Sequence, residues 1–260
     1  MAALAKTKLL YQQQGNLHQH EATITGFEPI PVEAGNDKAD EQESHAIYLD
    51  ETIFHVQGGG QPFDVGNIES ATGSFIVTSV RNADGETVRH AGRFASVDKS
   101  NFSAGDKVQM SIDVDRRLLN SRIHSAGHIL GVAIMRLSRE GKLPELVETK
   151  AKHYPGDACV EFKGLIEGKA KDMIQAASDE LVGEARPLTI CFWSRVECAE
   201  HNVALPEKIE GDIFRAVDIE GCGAYACGGT HVTDTKGVGK INVRSIKRQK
   251  GTSRVSYSVS

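Results

Sequence analysis

No stretch of the chain approaches the roughly 18–20 consecutive apolar residues that span a bilayer, although 40% of its 260 residues are hydrophobic. Membrane insertion is therefore not expected. The first residues, MAALAKTKLLYQQQG, lack the apolar core of a secretory signal, and with two lysines and no arginine they make a poor transit peptide. A cytoplasmic location is the expectation. A disulfide framework is also missing: Cys159, Cys191, Cys198, Cys222 and Cys227 are odd in number and irregularly spaced, which suits free thiols in a reducing compartment. Acidic residues are absent from Thr235 to Ser260, where seven basic ones stand: Lys236, Lys240, Arg244, Lys247, Arg248, Lys250 and Arg254. Acids gather instead in residues 33–43, at Glu33, Asp37, Asp40, Glu41 and Glu43. A polyanion would meet attraction at the tail and repulsion at the early acidic segment. The tail basics have two readings, the solvated face of a terminal hairpin or a contact with nucleic acid.

What is present divides in two. In the first hundred residues, QHEATITGFEPIPV, HAIYLDETIFHV and SFIVTSV carry β-branched and aromatic residues between turn clusters. Asn82-Ala83-Asp84-Gly85, between SFIVTSV and ETVRH, reads as a hairpin turn. The acidic stretch 33–44 reads as a loop. A small antiparallel β-barrel over residues 1–110 is the simplest architecture. The pattern then changes. Leu119, Ile123, Ala126, Leu130, Ala133, Ile134 and Leu137 recur at three and four residues, an amphipathic helix that Asp113 or Asp115 can cap and that Gly141 and Pro144 end. A second helix is expected over about 166–183, from Ile166, Ala170, Met173, Ile174, Ala177 and Leu181. With the strand-like runs ACVEF, PLTICFW, IFRAVDI, KINVRSI and RVSYSV, residues 111–260 read as a second domain of α+β class.

The first helix carries chemistry beside its apolar stripe. Asn120, His124 and His128 recur every four residues, so two imidazoles can converge on one metal ion. Alone, such a pair is more often a surface or hydrogen-bonded pair of histidines. The segment ACGGTHV adds Cys227 and His231, separated by Gly228, Gly229 and Thr230. Paired glycines disfavour a helix there and hold the two ligand types on a loop. One thiolate with up to three imidazoles suits Zn²⁺ better than Mg²⁺ or Ca²⁺. A structural zinc is possible without being needed, since this half has ample apolar sequence. Zincin protease chemistry is disfavoured, because the residue after the first histidine is Ser125 rather than glutamate. Glu220 is either a base or ligand orienter, or an exposed strand-end carboxylate.

His124-Ser125-Ala126-Gly127-His128 together with Cys227-Gly228-Gly229-Thr230-His231 resembles the editing domain of alanyl-tRNA synthetases and of their free-standing relatives, the AlaX alanyl-tRNA editing proteins. The threonyl-tRNA synthetase editing domain shares the metal pattern more distantly. Gly58-Gly59-Gly60-Gln61-Pro62 resembles the glycine-rich motif of the longer AlaX proteins, although Val56 and Gln57 stand where that family often has a proline and an acid. The resemblance implies a translation-protein-like N-terminal barrel and a C-terminal editing domain of the threonyl/alanyl type. It implies a trans-acting hydrolase that cleaves the ester of mischarged tRNA(Ala), chiefly seryl and secondarily glycyl. His124, His128, Cys227 and His231 would hold Zn²⁺. Gly228, Gly229, Thr230 and Glu220 are candidates for the reaction itself. Gly58, Gly59, Gly60, Gln61 and Ser125 are candidate substrate contacts, and Arg244, Lys247, Arg248, Lys250 and Arg254 are candidate tRNA contacts. Alanine is smaller than serine, so the pocket must reward the serine hydroxyl rather than sieve by size. The rival reading is a non-catalytic, zinc-stabilised RNA-binding module, with a small-molecule esterase behind it; either a monomer or a homodimer fits the sequence.

Overall fold

The computed structural model describes residues 6–30, 45–96, 102–205 and 210–260; the acidic stretch 33–44, expected to be a loop, lies outside them. The chain divides into two compact units. One comprises Met1–Gly58 and Pro62–Arg117, the other Gly59–Gln61 and Leu118–Ser260. No helix among the described residues is long and apolar enough to cross a membrane.

In the first unit, the strand-forming runs become a barrel. A short parallel pair joins β1 (Lys8–Leu9) to β4 (Glu51–Thr52). The other strands are β2 (Gln19–Pro29), β3 (His45–Leu49), β5 (Gly66–Ser70), β6 (Gly73–Asn82), β7 (Val88–Phe94) and β8 (Lys107–Ile112). They close in the order β2-β3-β7-β6-β5-β8 with every pairing antiparallel, which leaves no open sheet edge. Along β6 the inward side chains are Phe75 and Val77, and a register shift between Val77 and Ser79 lets Val80 face inward too. The expected turn at residues 82–85 is there. Asp84 accepts bonds from the Glu86 and Thr87 amides and from the Thr87 hydroxyl, and this pins the hairpin. The barrel core is Ile24, Ile47, Leu49, Ile68, Phe75 and Met110 with their neighbours. One ion pair is sealed inside this unit. Arg117 and Asp64 are both buried, and the guanidinium also donates to the carbonyls of Gly15 (2.8 Å) and Ile53 (2.5 Å). The guanidinium donors are thereby met, while Asp64 Oδ1 has no hydrogen-bond partner among the described residues.

The helix read from the three-and-four spacing is α1 (Val114–Arg139). Asp113 accepts the Arg116 amide at its start (2.9 Å), and Gly141 takes a left-handed conformation (φ 71°) after its end. Ile123, Ala126, Leu130, Ala133, Ile134 and Leu137 are buried as expected, whereas Leu119 is exposed. The second helix, α2 (Lys171–Gly183), starts later than the apolar spacing suggested. The Ile166 amide is taken by the Ser253 hydroxyl (2.8 Å), and a 3-10 turn at Gly168–Ala170 precedes the helix. The strands form two antiparallel sheets. A four-stranded sheet runs β14 (Ile241–Gln249), β15 (Thr252–Val259), β10 (Ala158–Lys163) and β9 (Val147–Lys152). A three-stranded sheet runs β11 (Leu188–Ser194), β12 (Ile213–Ile219) and β13 (Gly223–Ala226). A short helix, α3 (Arg195–Glu200), follows β11 and is closed by a capping box between Ser194 and Glu197. The apolar side of α1 packs with Val160, Phe162, Val217, Ile219, Val255 and Tyr257 in one core. The same helix carries His124 and His128, both buried.

Candidate metal centre

Helical spacing brings His124 and His128 one above the other on α1, their ring centroids 5.0 Å apart. The loop after β13 supplies the partners. His124, His128, Cys227 and His231 each offer one ligand atom, and the four atoms lie within 4.8 Å of one another. The Cys227 Sγ is 3.3 Å from His124 Nε2 and 3.2 Å from His231 Nε2. Arg215 on β12 fixes the loop by donating to the carbonyls of Cys227 and Gly229, the latter at 2.9 Å. The two glycines differ. Gly228 is exposed, while Gly229 is buried, and a Cβ there would sit 2.2 Å from His124 Cε1 and 2.7 Å from Gln61 Oε1. Only a hydrogen fits at residue 229, and the loop can approach the helix for that reason.

The imidazoles are oriented from behind. Gln61 is fully buried, and its Oε1 lies 2.7 Å from His124 Nδ1 and accepts the Thr230 amide at 3.0 Å. Its amide nitrogen donates to the Thr230 hydroxyl (2.8 Å), which in turn bonds Ser121 Oγ (2.7 Å). With Gln61 presenting an oxygen, His124 carries its proton on Nδ1 and turns an Nε2 lone pair toward Cys227. Ser125 Oγ accepts the Val232 amide (3.1 Å) and meets His231 Nδ1 (3.1 Å), so His231 also faces inward through Nε2.

Two observations test whether these residues fit a metal. His128 Nε2 is buried and has no hydrogen-bond partner among the described residues, an arrangement that is costly unless something else satisfies the atom. Burial also pulls the His128 pKa down to about 3, with His153 and Arg215 adding to the effect; the ring is then a neutral ligand at ordinary pH. Burial raises the Cys227 thiol pKa, while the Gly229 amide and Arg215 act in the opposite direction. Three imidazoles and one sulfur are a donor set for a borderline ion such as Zn²⁺. The residues present fit such an ion.

The other candidate residues take varied places. Gly59, Gly60 and Gln61 count with the second unit, Gly58 and Pro62 with the first. The Gly60 carbonyl accepts the His153 amide (2.8 Å), and a Cβ at Gly60 would meet the Ala151 carbonyl at 2.6 Å. Gln61, Thr230 and Ser125 have their polar atoms engaged by protein groups. Glu220 is exposed beyond β12, with its amide bonded to the Pro187 carbonyl and its own carbonyl to Arg186; it is not among the groups bonded to the ligand atoms. Of the basic residues, Arg244, Lys247 and Arg254 line one recess with Gly156 and Asp157, and Lys250 joins Lys247 and Arg254 in the next. Arg254 and Lys152 both hold Asp157, at 2.6 and 2.5 Å. Arg248 pairs across the hairpin with the buried Ser253 and so lies on the opposite face from Lys247 and Arg254.

Three residues beside the site were missed in the sequence. His153, just after β9, stacks on His124 with centroids 4.1 Å apart, and burial lowers its pKa to about 4. Tyr225 lies against His128 (4.3 Å), and its hydroxyl is 3.3 Å from Glu148, whose pKa burial raises to about 7. None belongs to a motif; the one available signal was that His153 is a further histidine beside a polar strand.

Comparison with known proteins adds an independent line. The family model described as tRNA synthetases class II (A) matches residues 3–116. An alanine-tRNA ligase of Methanococcus vannielii is 30% identical over 216 residues, covering 82% of this chain and 23% of the ligase. That of Methanobrevibacter smithii is 27% identical over 260 residues, covering 97% and 27%. The chain thus spans about a quarter of the ligases it matches. An alanyl-tRNA editing protein, AlaX-M, of Methanosarcina barkeri is 28% identical over 229 residues, covering 81% of this chain and 87% of that protein.

Proposed function

Because the chain belongs with the AlaX-type alanyl-tRNA editing proteins, we propose that it acts in alanyl-tRNA editing as a trans-acting hydrolase. Its substrate would be tRNA(Ala) esterified with serine, and to a lesser degree with glycine. The observation that carries this reading is the convergence of His124, His128, Cys227 and His231 with their orienting groups already in place. The α+β unit is read as an editing domain of the threonyl/alanyl type, and the barrel as its translation-protein-like companion.

An aminoacyl ester is an activated acyl group, so the protein must hold it, order a water and stabilise the oxyanion. A zinc ion held by His124, His128, Cys227 and His231 would supply Lewis acidity at the ester end. The chain's own residues do the rest. Gln61 and Ser125 fix the imidazole orientations, and Arg215 holds the carbonyls of the Cys227 loop. The backbone at exposed Gly228 is bare enough for the terminal adenosine or the oxyanion to approach. We read Gln61, Thr230 and Ser125 as supports of the ligands rather than substrate contacts, since their polar atoms are already bonded. Arg244, Lys247, Lys250 and Arg254 would meet acceptor-stem phosphates. The test is multiple-turnover deacylation of Ser-tRNA(Ala), Gly-tRNA(Ala) and Ala-tRNA(Ala) at substoichiometric protein, with and without chelator. Loss of turnover in Cys227→Ala and His128→Ala is expected, whereas salt-sensitive tRNA binding without turnover by the unaltered protein would favour the RNA-binding module.

A further inference from the structure

The editing reading leaves one chemical requirement unassigned. Something must favour serine over the smaller alanine, and only a group that bonds the hydroxyl can do so. Gln61, Thr230 and Ser125 are committed to protein partners. His153 is placed differently. Its ring is buried, 2% exposed, and stacks on His124 at 4.1 Å with 6.0 Å to His128. It therefore lies in ring contact with one of the candidate ligands, His124. A Cβ at Gly127 would fall 2.4 Å from its Cε1, so the glycine in the HSAGH segment is what admits the ring.

The hydrogen bonds of His153 settle its tautomer. Nδ1 is 2.7 Å from the Tyr257 hydroxyl, and that hydroxyl is 2.9 Å from the Ile123 carbonyl. A phenol has a single hydrogen, and a carbonyl can only accept. Tyr257 therefore donates to Ile123 and accepts from His153, so the His153 proton sits on Nδ1. With that proton on Nδ1, Nε2 presents the ring's lone pair. Among the described residues no group donates to it.

Resting on the editing reading, we propose that His153 is the residue that reads the serine side chain, its Nε2 accepting the hydroxyl hydrogen of the misattached amino acid, with Tyr257 as the positioning residue that keeps the lone pair on Nε2. Alanine would press a methyl group against the same nitrogen and leave it unpaired, a penalty on the correct product rather than a steric block. Glycine lacks both groups and gains nothing from His153.

The experiment compares kcat/KM for Ser-tRNA(Ala), Gly-tRNA(Ala) and Ala-tRNA(Ala) in the unaltered protein and in His153→Asn, His153→Gln and Tyr257→Phe, with bound zinc measured in each. Asparagine keeps a donor for Tyr257 and removes the distal acceptor; the Ser/Gly ratio is expected to fall about tenfold or more. Glutamine returns an amide oxygen near the Nε2 position and should recover part of the ratio. Tyr257→Phe removes a group remote from substrate, so it should lower the ratio by an intermediate factor. Heteronuclear NMR of the histidine side chains should show His153 protonated on Nδ1 in the unaltered protein and a tautomer mixture in Tyr257→Phe. An equal fall for all three substrates, an unchanged Ser/Gly ratio, or an Nε2-protonated ring in the unaltered protein would overturn the assignment. If a His153 variant fails to load zinc, Tyr257→Phe and the NMR spectrum still decide. Absence of turnover by the unaltered protein on every substrate overturns the editing reading and this proposal with it. Turnover with a ratio that His153→Asn does not move overturns this proposal alone.

Discussion

The Gln61 carboxamide does two jobs at once, bonding His124 through its oxygen and Thr230 through both ends. Replacing it with leucine keeps the bulk and removes the acceptor that holds His124 in its tautomer. Zinc affinity should then fall about 10–100-fold, read by competition with a chromophoric chelator, and unchanged affinity would show that the orientation comes from elsewhere. Gly229→Ala tests the loop rather than the ligand. The added methyl would lie 2.2 Å from His124 Cε1, so one of the two must shift. Zinc content after purification should drop sharply while the circular dichroism spectrum is retained; full loading would mean that the loop can retreat at little cost. Both positions were visible in the sequence as members of motifs, GGGQP and CGGTH. Their roles were not visible, since a glutamine that reads as a surface or substrate group gives no sign that it is buried behind a histidine from 63 positions away.

At the level of elements, strongly patterned segments were legible and weakly patterned ones were not. Apolar spacing located α1, and β-branched runs located β10, β11, β12, β14 and β15. By contrast β9, VETKAK, alternates charged residues at a sheet edge, and β13, GAYA, is four small or aromatic residues long. Neither has the apolar run that marks a strand. Yet β9 carries Glu148 and leads directly into His153. Burial is the main reason the Glu148 pKa rises from 4.5 to about 7, and the Tyr225 hydroxyl opposes it only in part. The protonated form is thus favoured in the folded protein. The associated stability is fully present below pH about 4.5 and is lost as pH rises through about 7, an effect on the order of 3 kcal/mol. In chelator-stripped protein, Glu148→Gln should gain in urea midpoint relative to the unaltered chain as pH is raised from 5 to 8. A pH-independent difference would count against a raised Glu148 pKa.

For the molecule as a whole, charge is arranged by region rather than by total. The net charge is −5, yet Thr235 to Ser260 contains no acid, and Arg244, Lys247 and Arg254 share one face of the four-stranded sheet. Asp157 sits among them and holds Arg254 and Lys152. If this face follows phosphates, changing Arg244, Lys247 and Arg254 together to alanine should reduce the slope of log affinity against log salt by about 2–3 in tRNA binding. Arg248→Ala, on the other side of the hairpin, should leave the slope near its original value. Equal effects would mean that the tail acts through its summed charge alone. The sequence located this basic tail, but which of its members point together depended on a register shift in β14 between Val243 and Ser245, which no composition reveals.

The tripeptide Gly59–Gln61 has a consequence for how such a protein can be taken apart. A fragment beginning at Leu118 would contain all four candidate ligands, and a transplant of that fragment into another chain would look complete on paper. It would nevertheless leave His124 Nδ1 and the Thr230 amide without the oxygen that now serves both. The second unit is therefore not a cassette with ends at its own borders. Its inheritance is split, and any swap, truncation or fusion that preserves the site has to carry three residues from far upstream along with it.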